Sequence, residues 1–197
     1  MTYIIIAAAF GYLLGSIPFG LVLSYLAGYG DIRTIGSGNI GATNVLRTGN
    51  KKLAALTLAL DSGKGAIAVI IAKLVFKELD PAIAAGMLAI IGHMFPVWLK
   101  FKGGKGVATT LGMMLALTTS IGVIACATWL AMAYLFRYSS LSALIAIATT
   151  PLTALMLHNN PHLTAACLFI TIIVWAKHHT NIKRLLKGEE PKIGQKK

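Results

Sequence analysis

The sequence predicts an all-α membrane protein of about seven transmembrane helices, with its N-terminus outside and its C-terminus cytoplasmic. Three observations carry that prediction: the composition, the lengths of the apolar runs, and the placement of the basic residues. Of 197 residues 56% are hydrophobic and 12% charged, with a mean hydropathy of +0.75. A soluble domain would carry about a quarter charged residues.

A spanning helix needs about 20 mostly apolar residues. Candidate runs lie at 3–27, 53–76, 81–99, 107–118, 120–136, 140–157 and 162–177. The first follows Met1 without a basic segment or a small-residue cleavage site, so it reads as a retained helix and not a signal peptide. The fourth and fifth share one apolar stretch, 107–136, long enough for two short spans or one long bent one, with Thr118-Thr119-Ser120 as the natural break. Cys126 and Cys167 fall inside spans, make no CxxC pair, and read as small hydrophobes. The whole chain, 1–197, is expected to form a single membrane domain.

Charge supplies the orientation. One side of a seven-span chain receives Arg33, Arg47, Lys51 and Lys52, then Lys100, Lys102 and Lys105, then Arg137. The tail adds Lys177, Lys183, Arg184, Lys187, Lys192, Lys196 and Lys197 to that side. Fifteen of the 18 basic residues therefore share one face, which the positive-inside rule makes cytoplasmic. A formal charge of +12 so distributed points to membrane lipid and not to nucleic acid.

Three polar clusters interrupt the apolar runs. The first, Gly-Ser-Gly-Asn-Ile-Gly-Ala-Thr-Asn-Val-Leu-Arg at 36–47, offers backbone N–H groups at Gly36, Gly38 and Gly41. Ser37, Asn39, Thr43, Asn44 and Arg47 place side-chain donors beside them, as an anion site requires. Residues 36–41 match GxGxxG, with Asp61 at a plausible distance for a ribose-binding acid. That motif works only after a strand in a βαβ unit, and here a spanning helix follows.

The second cluster, Phe-Lys-Gly-Gly-Lys-Gly-Val-Ala-Thr at 101–109, opens a helix. Gly103, Gly104 and Gly106 with Lys105 would combine free N–H groups, a positive dipole end and an ammonium for a second phosphate. In the third, His178 and Asn181 share a helix face at i, i+3. Asp61 and Lys64 are spaced to pair within a span, and His93 reads as a core histidine bonded to a carbonyl. His158 and His162 read as solvated turn residues.

No metal-ligand spacing appears, and there are only six acidic residues, so neither metal nor cofactor is expected. The H-x4-D box of many glycerolipid acyltransferases is absent, because Trp98, Leu163, Cys167, Lys183 and Arg184 occupy the acid's position. A transporter would place its polar residues at the midplane, whereas these donors gather at one face. A scaffold protein would not need two phosphate-suited clusters.

In order and position these clusters resemble the bacterial acyl-phosphate:glycerol-3-phosphate acyltransferase family, over nearly the whole chain. Leu-Asp-Ser-Gly-Lys-Gly (60–65), Gly-His-Met-Phe-Pro-Val (92–97) and the run from His178 to Glu190 strengthen the resemblance. So does Gly-Ser-Ile-Pro-Phe-Gly (15–20) in the first span. It implies transfer of an acyl group from a fatty acyl phosphate to the 1-hydroxyl of sn-glycerol 3-phosphate. The products would be lysophosphatidate and phosphate.

Carried over residue by residue, the resemblance puts Ser37, Arg47, Lys105, His178 and Asn181 in the catalytic centre. Gly38, Asn39, Thr43, Asn44, Gly103, Gly104 and Gly106 would bind substrate, and Glu190 would be mainly structural. Together with the charge-derived orientation it puts the expected active site on the cytoplasmic side of the bacterial inner membrane, and no obligate protein partner is evident in the sequence.

Overall fold

A computed structural model of the chain describes residues 1–195, so Lys196 and Lys197 of the basic tail lie outside the described residues. Among the described residues all regular structure is helical. The α-helices are α1 (Thr2–Gly15), α2 (Phe19–Leu26), α3 (Ala42–Val45), α4 (Lys51–Phe76) and α5 (Leu79–Met94). They continue as α6 (Val107–Leu117), α7 (Thr119–Phe136), α8 (Ser139–His158), α9 (Pro161–Lys177) and α10 (His179–Leu186). Two compact units result, one ending at Leu117 and the other beginning at Thr118.

Five segments are long and apolar enough to cross a bilayer: Thr2–Leu26, Lys51–Phe76, Leu79–Leu99, Thr119–Phe136 and Ser139–His158. A sixth forms if α9 and α10, which meet at 64°, count as one broken span. The expected fourth span is the exception to the seven. α6 has only 11 residues, a length of about 16 Å against a hydrocarbon core of about 30 Å. Its end at Leu117 and the start of α7 at Thr119 fall at the expected break.

In the first unit, the expected continuous first span is broken between Gly15 and Phe19, because Pro18 has no N–H to extend a helix. The carbonyls released there need donors inside the membrane. Trp98 Nε1 donates to Ser16 O (2.9 Å), and Lys64 Nζ donates to Ile17 O (2.8 Å). Before the break α1 lies directly on α5. A Cβ on Gly11 or Gly15 would collide with the backbone of Ala85 or Ala89, so the four-residue spacing of small residues permits the approach.

At the far end of α4, Lys73 Nζ donates to the carbonyls of Ala116 (2.8 Å) and Leu117 (2.7 Å). It satisfies two of the four orphan carbonyls at the end of α6.

The polar 28–50 loop is anchored from beneath. Ile32, Ile40 and Val45 join Leu21 and Ala54 in a buried apolar cluster, with Ile35, Leu46, Leu53 and Leu99 packed against it. Asp31 caps the 3₁₀ turn Ile32–Thr34 through Arg33 N (2.9 Å), and Asn50 caps α4 through Leu53 N (3.0 Å). The guanidinium of Arg33, hydrogen-bonded to Asp31, holds that carboxyl down at about 2.

In the second unit, α8 carries Pro151 in its interior. The Ile147 carbonyl, deprived of the proline N–H, accepts instead from Thr150 Oγ1 (2.8 Å) and Thr171 Oγ1 of α9 (3.1 Å). α9 starts at Asn160, which caps Leu163 N (3.0 Å), with Pro161 in the first turn. His158 is not merely solvated, since its Nε2 lies 2.8 Å from Ser120 Oγ.

Candidate functional site

Within the 36–47 loop the donors divide by role. Asn44 is buried, and its Oδ1 accepts from Ser37 N (3.0 Å) and Ser37 Oγ (3.2 Å). Its Nδ2 donates to Ile32 O (2.9 Å). Both ends of the amide are therefore used inside the loop, and Asn44 braces the site where the sequence suggested a substrate donor. Gly38 donates its N–H to Ile35 O (3.0 Å) and so closes a turn; its φ of +69° suits glycine. Asn39 is half-buried with its Nδ2 beside Gly41, and Thr43 is exposed.

Ser37 and Arg47 remain at the surface of this brace. They meet through Gly36, whose φ is +58°. A Cβ there would stand 2.5 Å from Arg47 Cδ, 2.6 Å from its Nη1 and 2.7 Å from Asn44 Oδ1. The guanidinium thus lies against Gly36, the residue before Ser37. The Ser37 hydroxyl donates to an amide oxygen, which cannot take its proton. The one Ser37 O–H is thus committed to Asn44, and no base stands beside it to generate an alkoxide.

The second cluster departs from expectation in one respect. Gly103 and Gly104 do not offer free N–H groups: Gly103 N donates to Met94 O (3.1 Å) and Gly104 N to His93 O (2.9 Å). Their glycine identity reflects crowding, since a Cβ would strike Pro96 at one position and the His93 ring at the other. Gly106 is buried at φ +80°, and Lys105 between these glycines is half-buried. The helical bonding of α6 begins at Thr110 N to Gly106 O (2.8 Å), so the Val107 and Ala108 N–H groups precede it at the positive end of the helix dipole.

Beside this loop is a constellation that sequence reasoning only half resolved. Lys64 Nζ is 2.8 Å from Asp61 Oδ1, as the i, i+3 spacing suggested. The same oxygen lies 3.6 Å from His93 Nδ1, so His93 faces a carboxylate from another helix. All three side chains are buried. The 61–64 spacing was visible in the chain; the pairing with residue 93 depends on how α4 packs on α5.

In the second unit, His178 sits at the bend between α9 and α10 and is buried. Its Nδ1 is 2.7 Å from Val174 O. A carbonyl only accepts, so Nδ1 carries the proton and Nε2 is the basic nitrogen. Asn181 Nδ2 donates to Glu190 Oε1 (2.6 Å). Glu190 also accepts from Ser140 Oγ (2.7 Å) and Arg184 Nε (2.7 Å), which ties the tail to α8 and α10. Burial pushes the Glu190 carboxyl up, but these three donors and the guanidinium charge outweigh it and hold the group below its usual range.

The chain is similar to known proteins over almost its full length. The family model described as glycerol-3-phosphate acyltransferase matches residues 5–188. A glycerol-3-phosphate acyltransferase of Rhodospirillum rubrum is 57% identical over 199 residues, covering 98% of this chain and 92% of that protein. The one from Mesorhizobium japonicum is also 57% identical, over the whole of both chains. A crystal structure of PlsY, an integral membrane glycerol 3-phosphate acyltransferase in its glycerol 3-phosphate form, superimposes with a TM-score of 0.91. It is 37% identical and covers 97% of this chain and 96% of its own. A lysophosphatidic acid form of PlsY gives 0.88 at 36% identity, covering 97% and 95%. With a matching family model, close relatives and a shared multi-pass helical fold, this chain belongs to the glycerol-3-phosphate acyltransferase family.

Proposed function

We propose that the acyl donor is a fatty acyl phosphate and the acceptor the 1-hydroxyl of sn-glycerol 3-phosphate. The observation that carries this reading is the Ser37–Arg47 pair, held open across Gly36 by Asn44, in a unit that also presents Lys105 before a helix N-terminus. Two separate anion-suited elements fit a reaction of two phosphorylated substrates. The solved relatives bear on this choice, since PlsY has been crystallised with glycerol 3-phosphate and with lysophosphatidic acid.

In the proposed reaction the hydroxyl oxygen attacks the acyl carbonyl carbon and forms a tetrahedral oxyanion. The bond from that carbon to the phosphate oxygen then breaks, giving 1-acylglycerol 3-phosphate and inorganic phosphate. Arg47 and Lys105 hold phosphate and offset the charge gathering on the carbonyl oxygen, while Asn39 and Thr43 add neutral donors and Ser37 joins them when its hydroxyl turns from Asn44 to the substrate. Acyl phosphate is already activated, so orientation supplies much of the rate. The hydroxyl proton has two chemically suited acceptors, Nε2 of His178 and a phosphate oxygen of the substrate. Asn181 supports His178 indirectly, by fixing Glu190 and with it the tail.

The topology belongs to the same proposal. The broken first segment and the short α6 each count as one pass, so that seven passes leave the N-terminus outside. The active site then faces the cytoplasm at the inner membrane.

Purified protein in active detergent or lipid is given glycerol 3-phosphate with acyl phosphate, acyl-CoA or acyl carrier protein. Lysophosphatidate should form from acyl phosphate alone. Its absence there, or faster formation from a thioester, would overturn the donor assignment. Arg47→Ala should abolish turnover in a protein that still runs as one symmetric species, and a near-normal rate would remove Arg47 from the site.

A further inference from the structure

His93 lies in the last turn of α5, between a charged pair and the glycine loop. On one side its Nδ1 faces Asp61 Oδ1 at 3.6 Å. Asp61 is itself fixed, because Lys64 contacts the same oxygen at 2.8 Å and is tethered to Ile17 O at 2.8 Å. On the other side the imidazole edge rests on Gly104: a methyl added there would collide with Nε2 and stand 2.8 Å from Cε1 and 2.9 Å from Cδ2. The backbone of the same residue completes the grip, with His93 O accepting from Gly104 N at 2.9 Å. The peptide leading into Lys105 is thus set by a ring that a buried carboxylate orients.

We propose that His93 is a positioning residue for Lys105, its ring acting as a spacer that sets where the Gly103–Gly106 loop carries the ammonium. This rests on the reading that Lys105 contacts a substrate phosphate. A histidine that merely filled space between helices would not need to touch both Asp61 and the residue preceding Lys105. The arrangement also explains why residue 104 is glycine although its N–H is used internally: the ring occupies the space of a side chain.

A double-mutant cycle tests the idea. His93→Asn keeps an amide N–H toward Asp61 and removes the ring edge from Gly104, while Lys105→Met removes the ammonium. For each variant and the double variant, kcat and KM are measured separately for glycerol 3-phosphate and acyl phosphate. Lys105→Met should raise the KM of one of these substrates at least tenfold. His93→Asn should raise the KM of the same substrate about fivefold or more, with the other within twofold, and the double variant should be no worse than Lys105→Met. Multiplicative losses in the double variant would overturn the proposal. So would a fall in kcat with both KM values unchanged, the signature of a packing role. If Lys105→Met moves neither KM, the phosphate role of Lys105 fails and the inference falls with it. That result is distinct from a normal His93→Asn beside a defective Lys105→Met, which sinks the inference alone. Should His93→Asn not yield monodisperse protein, isosteric Asp61→Asn takes its place in the cycle, and a normal KM there overturns the proposal equally.

Discussion

Replacing Asn44 by alanine should silence the enzyme without unfolding it. The amide is 1% exposed and makes three hydrogen bonds, two to Ser37 and one to Ile32 O. Truncation leaves the Ile32 carbonyl without its donor, at about 1–3 kcal/mol for a buried unsatisfied group, and about 1 kcal/mol goes with the half-solvated Ser37 bonds. A loss of about 2–4 kcal/mol results. It falls on the 36–47 loop, because the apolar cluster beneath is untouched.

If that energy serves to hold the Ser37–Arg47 arrangement for the transition state, kcat/KM drops about 30- to 900-fold at 1.36 kcal/mol per decade. Acylation of glycerol 3-phosphate is measured beside the melting temperature of the detergent-solubilised protein, with Ser37→Ala as the comparator that keeps the brace. Activity within threefold of wild type would refute the bracing role. So would a loss of activity that merely follows a collapse in melting temperature.

Lys73→Met should lower stability by about 2 kcal/mol, because two carbonyls at the end of α6 lose a charged donor, while the specific activity of the surviving folded fraction stays unchanged. A melting temperature equal to wild type would show that those carbonyls find other partners. The depressed Glu190 carboxyl predicts an acid-labile tail: its stabilisation is complete above the ordinary value of 4.5 and is lost as pH falls below that toward the folded-state value. Melting curves taken from pH 7 downward should therefore fall less steeply for Glu190→Gln than for wild type, and parallel curves would contradict this.

The helices were largely legible because apolar runs of bilayer length have few other uses. Two runs lie where the sequence puts them but do not make simple spanning helices, for physical reasons: the first is broken and the fourth is too short to cross alone. Pro18 was visible in the chain, but the donors that make a break tolerable, Trp98 and Lys64, come from distant segments. α6 is short although its neighbours are apolar, and a lysine 43 residues earlier holds its end. In the candidate site, residue types suggest an anion-binding loop, yet could not say which donors face outward. Asn44 and Ser37 look alike as letters, and only the position of Ile32 O turns Asn44 inward. The Gly-Gly-Lys-Gly run misled in the same way, since what excludes a side chain at Gly104 is an imidazole from the preceding helix.

The first loop offers a cleaner separation of backbone conformation from side-chain placement, because two of its glycines share the first and differ in the second. Gly36 and Gly38 both adopt positive φ, +58° and +69°, so alanine at either costs a similar backbone strain of about 1–2 kcal/mol. Beyond that they diverge. A Cβ on Gly38 would meet only Arg33 O, at 3.3 Å, whereas one on Gly36 would press on Arg47 at 2.5 Å and Asn44 at 2.7 Å. Arg47 is exposed and can swing aside, but Asn44 is buried and fixed by three hydrogen bonds, so the collision both displaces the guanidinium and strains the brace. Gly36→Ala should therefore melt somewhat below Gly38→Ala and lose at least tenfold more kcat/KM. Equal losses would mean that the loop's backbone, and not the position of Arg47, limits the reaction. The brace formed by Asn44 would then serve the peptide chain alone.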